Sequence, residues 1–191
     1  STLDFDSLLF PKFSTLPKNR FWNQLIGILE TEYSKTDEEV FLIGNISVEG
    51  KQVDAICVKD DAILVIDFKD YGGSLTISEN GTWIISGQPI NSGRKNPYLQ
   101  LADNKYALLN LLKRKLPDGY QNWINIGHIN AMVLFHQHIE YDSTNLQFDL
   151  SPSVSKWFNI SDLKHVRQTL DEITSPTTLI RGDNKNILLQ I

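Results

Sequence analysis

Between Val40 and Lys69 three strand-length apolar runs are joined by two very short connections, and two of the runs carry a carboxylate where a core side chain belongs. Val40 to Val48 leads into Glu49-Gly50, Gln52 to Val58 into Lys59-Asp60-Asp61, and Ala62 to Lys69 stops before Tyr71-Gly72-Gly73. Links this short make neighbouring strands antiparallel. Asp54 interrupts the second run and Asp67 the third, two residues before Lys69. Residues i and i+2 of a strand share a face, so Asp67 and Lys69 project together. A turn centred on Asp60 sets Asp54 opposite about residue 66, within a register step of Asp67. Two carboxylates and one ammonium are therefore expected to converge at one end of a sheet.

The flanking sequence supplies the layers for such a sheet. Pro17 to Tyr33 has an apolar face of Phe21, Leu25, Ile28 and Leu29, which predicts a helix. Ser74 to Ser78 and Thr82 to Ser86 flank Glu79-Asn80-Gly81, a hairpin signal. Asn96-Pro97 opens a long helical pattern that ends before Pro117. Ile126 to Phe135 reads as a buried central strand, and Lys156 to Ile160 as a short one. Ser161 can cap a helix to about Ile173, and the last dozen residues read as extended or loose. The order predicts a mixed α/β domain, and 191 residues suit one domain with a core at about 17–175.

Convergent carboxylates repel each other and need a cation. Lys69 supplies one charge, and a hard divalent ion with oxygen ligands suits the remainder. Mg²⁺ characteristically joins one or two carboxylates to substrate phosphates. A structural ion pair at a strand end is the competing interpretation.

Asp54 followed by Asp67-Phe68-Lys69 across a hairpin resembles the PD-(D/E)XK nuclease signature. With Tyr71-Gly72-Gly73, then Asn80-Gly81-Thr82-Trp83 and Asn96-Pro97-Tyr98-Leu99-Gln100 in that order, the stretch from about 20 to 135 resembles the NERD (nuclease-related) domain. The resemblance implies a restriction-endonuclease-like core, a central mixed sheet flanked by helices, that cuts phosphodiester bonds with Mg²⁺, Mn²⁺ being able to substitute. It implies Asp54 and Asp67 as metal ligands, Lys69 as the catalytic lysine and a role for Gln100. A helix-1 glutamate usual in the family corresponds to Glu30, or else its position is filled by Gln24. Such domains are often joined to helicase or other nucleic-acid-processing domains in DNA processing or defence, so this chain is expected to be a piece of a longer protein.

Charge fits a polyanionic partner. The chain has 18 basic and 23 acidic residues, net −5, yet residues 91–116 hold Arg94, Lys95, Lys105, Lys113, Arg114 and Lys115 against Asp103 alone. Such a segment is either a phosphate-binding face or a solvated helix end. The reading is a DNA-hydrolysing domain of low sequence specificity, with RNA as the open alternative substrate. A catalytically inactive nucleic-acid-binding or protein-docking module of the same fold is the other reading. Thiolate zinc centres are excluded by the single Cys57. His136 and His138 share a strand face without a third ligand at useful spacing. The absence of a secretory pattern after Asp4 and Asp6, and of a long apolar run, predicts a cytoplasmic protein without a membrane partner.

Overall fold

The three apolar runs form β1 (Phe41–Val48), β2 (Lys51–Lys59) and β3 (Ala62–Lys69) of a computed structural model that describes residues 16–141 and 150–191. Asp4 and Asp6 lie outside the described residues. β1 and β2 pair antiparallel, as do β2 and β3. The second hairpin runs from Ala55 opposite Ile66 to Lys59 opposite Ala62, leaving a two-residue turn at Asp60 and Asp61. Continuing that register sets Asp54 against Asp67, one step beyond the expected residue 66.

The sheet then changes sense. β7 (Asn130–Phe135) lies parallel to β3, and β9 (Phe158–Asp162) parallel to β7, giving the order β1-β2-β3-β7-β9. Every residue of β7 is buried, as expected of a strand covered on both faces. A smaller sheet has the order β6-β5-β4-β8, from β4 (Gly73–Thr76), β5 (Trp83–Ile85), β6 (Gln88–Ile90) and β8 (Ile139–Glu140). The fold is thus α/β, a mixed central sheet flanked by helices.

Alternation along the strands builds a core on each face. Ala55, Cys57, Leu64, Ile66, Phe68, Met132 and Leu134 face helix α1 (Leu16–Tyr33), which presents Phe21, Trp22, Leu25, Leu29 and Tyr33 at helical spacing. Phe21 stacks on Phe68 at 4.5 Å between ring centres. Ile56, Val58, Ile63, Val65, Val133 and Phe135 face helix α2 (Pro97–Lys115) through Leu101, Leu108 and Leu112. Asp54, Asp67 and Lys69 belong by alternation to this α2 face.

Two of the sequence signals near α2 prove to be fasteners. Asn96 caps α2, its Oδ1 accepting the Leu99 N–H at 2.8 Å. Its Nδ2 lies 3.1, 3.0 and 2.8 Å from the carbonyl oxygens of Ser78, Glu79 and Gly81, so the cap also clamps the β4–β5 hairpin. At Gly72 a Cβ would fall 2.5 Å from the His138 carbonyl oxygen, and Gly73 has φ +126°. The backbone joining β7 to β8 passes too close for a side chain there.

Three expectations are corrected. Only Asn130–Phe135 of the run from Ile126 is strand, because Ile126–His128 closes a 3₁₀ turn. Ser161 does not cap a helix. It and Asp162 complete β9 against Leu134 and Phe135, and helix α4 (Val166–Glu172) starts later. A short helix α3 (Pro152–Ser155) precedes β9. The tail is not loose, since Asp183–Leu189 forms helix α5, pinned where buried Lys185 reaches Glu39 at 2.7 Å and Asp60 at 2.8 Å. No described helix is long and apolar enough to cross a membrane.

Candidate active site

The β2–β3 ladder ends at Ala55 and Ile66, and a side chain takes over the next backbone group. The Phe68 N–H donates to Asp54 Oδ2 at 2.9 Å. The other oxygen, Oδ1, accepts from Lys18 Nζ at 2.7 Å, from the first turn of α1. Asp54 is thereby fixed in orientation at the mouth of the sheet.

Asp67 stands beside it, 5% exposed. Its Oδ2 lies 3.1 Å from Lys69 Nζ, the side-by-side placement that the i, i+2 spacing predicts. Among the described residues no contact to this buried oxygen meets full hydrogen-bond geometry, so the Lys69 ion pair is what balances it. Burial, opposed by the charge and hydrogen bond of Lys69 and reinforced by the charge and hydrogen bond of Asp54, leaves the Asp67 carboxyl pushed up to about 6. A buried, under-satisfied carboxylate next to a second carboxylate is a donor set that a hard cation would complete.

Lys69 is held from the α2 side. Its Nζ donates to Asn91 Oδ1 at 3.3 Å, and Asn91 Nδ2 donates to Gln100 Oε1 at 3.3 Å and to the Lys95 carbonyl at 3.2 Å. Gln100 thus reaches the lysine through Asn91. The sequence reading missed Asn91, whose signal was a turn before the helix. Its φ of +54° is a conformation that asparagine tolerates better than most residues. Lys18 was also missed, since nothing in a helix's first turn marks it.

The structure separates the two helix-1 alternatives. Glu30 is exposed and twelve residues from Lys18, about 18 Å along the helix axis. It is not brought to the carboxylates. Gln24 bonds His136 Nε2, while His136 Nδ1 sits 2.7 Å from Asp70 Oδ1, so Gln24 faces the end of β3. Among the described residues no third His, Cys or acidic side chain joins Asp54 and Asp67 in a metal-sized group.

The basic residues disperse. Arg94 and Lys95 are exposed on the loop that carries Asn91, Lys95 pairing with Asp103 at 2.6 Å. Lys105 is buried, 3.5 Å from the Gly127 carbonyl oxygen and 5.0 Å from the Trp157 ring centre, and burial lowers its pKa. It is a packing residue rather than an exposed phosphate contact. Lys113, Arg114 and Lys115 are exposed at the other end of α2, about 20 Å from Gln100, and Arg114 pairs with Glu49.

Compared with known families, residues 23–136, more than half of the chain, match the model of the nuclease-related domain, NERD. The chain belongs to the NERD family. No curated protein and no solved structure matches it. The NERD match runs from the residue before Gln24 to His136 and includes Asp54, Asp67, Lys69, Asn91 and Gln100. These are the residues of the cluster apart from Lys18, which precedes the match.

Proposed function

We propose that this NERD domain is a metal-dependent nuclease that hydrolyses DNA phosphodiester bonds with little sequence preference. The observation that carries the reading is the buried Asp67 carboxylate beside Asp54, on one sheet face with the Lys69 ammonium 3.1 Å from its Oδ2. Asp54 and Asp67 would hold the cation, Mg²⁺ or Mn²⁺. When bound, that ion supplies an acidified water and neutralises phosphoryl charge. Lys69 places an ammonium where negative charge grows during attack on phosphorus, and Asn91 and Gln100 keep it there. Arg94 and Lys95, on the adjoining loop, would meet backbone phosphates, which confer grip without base reading.

A second reading, a catalytically silent nucleic-acid-binding or protein-docking module, is favoured by the missing third acidic ligand among the described residues and by the Lys18 ammonium on Asp54. Cleavage of supercoiled plasmid and of single-stranded DNA, with Mg²⁺, Mn²⁺ or EDTA, decides between them. Metal-dependent cleavage by the wild type is expected. Lys69→Ala should lose about 10²–10³ in rate yet still bind metal. Asp67→Ala should lose the metal itself, with partial recovery at high Mn²⁺. No metal-dependent cleavage by the wild type would leave the silent module, and full activity in Lys69→Ala would sink the mechanism.

A further inference from the structure

The two histidines that share a strand face in the sequence are parted by the fold. His136 turns to Gln24 and Asp70, whereas His138 meets the carboxylate of Asp162 at the end of β9 and the imidazole of His165 just past it. His138 Nδ1 lies 2.9 Å from Asp162 Oδ2, and His165 Nδ1 lies 2.7 Å from Asp162 Oδ1. One ligand atom from each of the three residues falls within 4.8 Å of the others. The rings are 5.6 Å apart between centres.

We propose that His138, Asp162 and His165 form a binding site for a divalent transition-metal ion of the zinc class, separate from the carboxylate pair at Asp54 and Asp67.

Three features support a built site. The carboxylate is 2% exposed and immobilised, since Ile139 N–H donates to Oδ2 at 3.1 Å and His165 N–H to Oδ1 at 3.0 Å. The two imidazoles are about half exposed, at 52% and 45%, so an ion can reach them and the rings can close on it. Two imidazoles and one carboxylate match the three-ligand sets that hold zinc and related ions with a position left for water. In a tetrahedral site at roughly 2.0–2.1 Å from each ligand, donor atoms stand about 3.3 Å apart. Small rotations of the exposed rings bring the 4.8 Å cluster to that size, the ion replacing the imidazole protons now shared with Asp162.

The chemistry also separates this site from the other. Imidazole nitrogen prefers zinc-class ions, and a pair of carboxylates with phosphate oxygens prefers Mg²⁺. The parallel strands β3, β7 and β9 all end on the same side of the sheet, so the His138 cluster lies two strand spacings, about 10 Å, across from the β3 end.

The test is a titration of the tag-free, chelator-stripped chain with Co²⁺, followed by visible absorption and calorimetry. The expected result is one equivalent per chain with tetrahedral-type absorption, displaced by Zn²⁺ and not by millimolar Mg²⁺. The signal should persist in Asp54→Asn/Asp67→Asn. It should weaken about 100-fold or more in His138→Ala/His165→Ala, checked by circular dichroism for retained fold, and each single variant should weaken it on its own. Equal Co²⁺ binding in the double histidine variant would overturn the proposal, as would wild-type binding weaker than about 0.1 mM or loss of the signal in Asp54→Asn/Asp67→Asn.

Discussion

Asp67 is the residue with most at stake, because its environment resists the charge that the proposed cation site needs. Its folded pKa, near 6, sits above the ordinary carboxylate value of about 3.9. Between roughly pH 4 and 6 the folded protein therefore holds a proton that the unfolded chain has released. The sign follows: this contribution is full below about pH 4 and is lost as pH rises through 6. In EDTA, Asp67→Asn should abolish this slope and unfold at higher urea than the wild type at pH 7. Urea melts from pH 4 to 7 measure it, and identical slopes in both proteins would assign the effect elsewhere. Mg²⁺ should raise the wild-type midpoint at pH 7, since an ion that binds only the native state stabilises it, and should leave Asp67→Asn unmoved.

At the scale of elements, the site depends on where α2 begins. Asn96 both caps that helix and ties three carbonyls of the β4–β5 hairpin to it. Replacing it by Ala removes the cap and three part-buried contacts to the hairpin carbonyls, a cost of about 1–2 kcal/mol. The loop from Asn91 should loosen with it, so Asn96→Ala should show faster amide exchange at Asn91 and Lys95 alongside a lower melting temperature. A variant with unchanged melting and exchange would show that the hairpin and helix are held by packing alone. Trp83 is part of the same joint. It is fully buried, donates its indole N–H to the Ser78 carbonyl at 2.7 Å, and meets Phe158 edge-on.

Across the whole molecule, charge is sorted by the fold rather than by the sequence run. Arg94 and Lys95 share the loop of Asn91, Lys105 is inside, and Lys113 to Lys115 sit at the far end of α2. Arg94→Ala/Lys95→Ala should weaken duplex DNA binding and lower the log–log salt slope by up to about 1.8, at about 0.9 per phosphate contact. Lys113→Ala/Lys115→Ala should change the slope less. Lys105→Ala should act through stability and leave the slope of the folded protein alone. Binding isotherms from about 50 to 200 mM salt distinguish these, and equal slopes in every variant would remove DNA grip from this face.

The hairpin of β2 and β3 was legible in the residues themselves. Period-2 alternation and two-residue turns are local properties, so the convergence of Asp54, Asp67 and Lys69 followed from spacing, within one register step. The helix start at Asn96-Pro97 was local in the same way. What the sequence could not show were contacts made by chain segments far apart. Lys18 reaches Asp54 across 36 positions, and His165 joins His138 only because β9 lies parallel beside β7. Ser161 carried a capping signal, yet pairing with β7 made it strand, because ladder bonds and burial outweigh a helix-start preference. Lys185 gave no sign of holding a C-terminal helix, since its partners Glu39 and Asp60 come from much earlier in the chain. Local chemistry wrote the carboxylates and the lysine into one hairpin. Only long-range packing decided which side chains surround them.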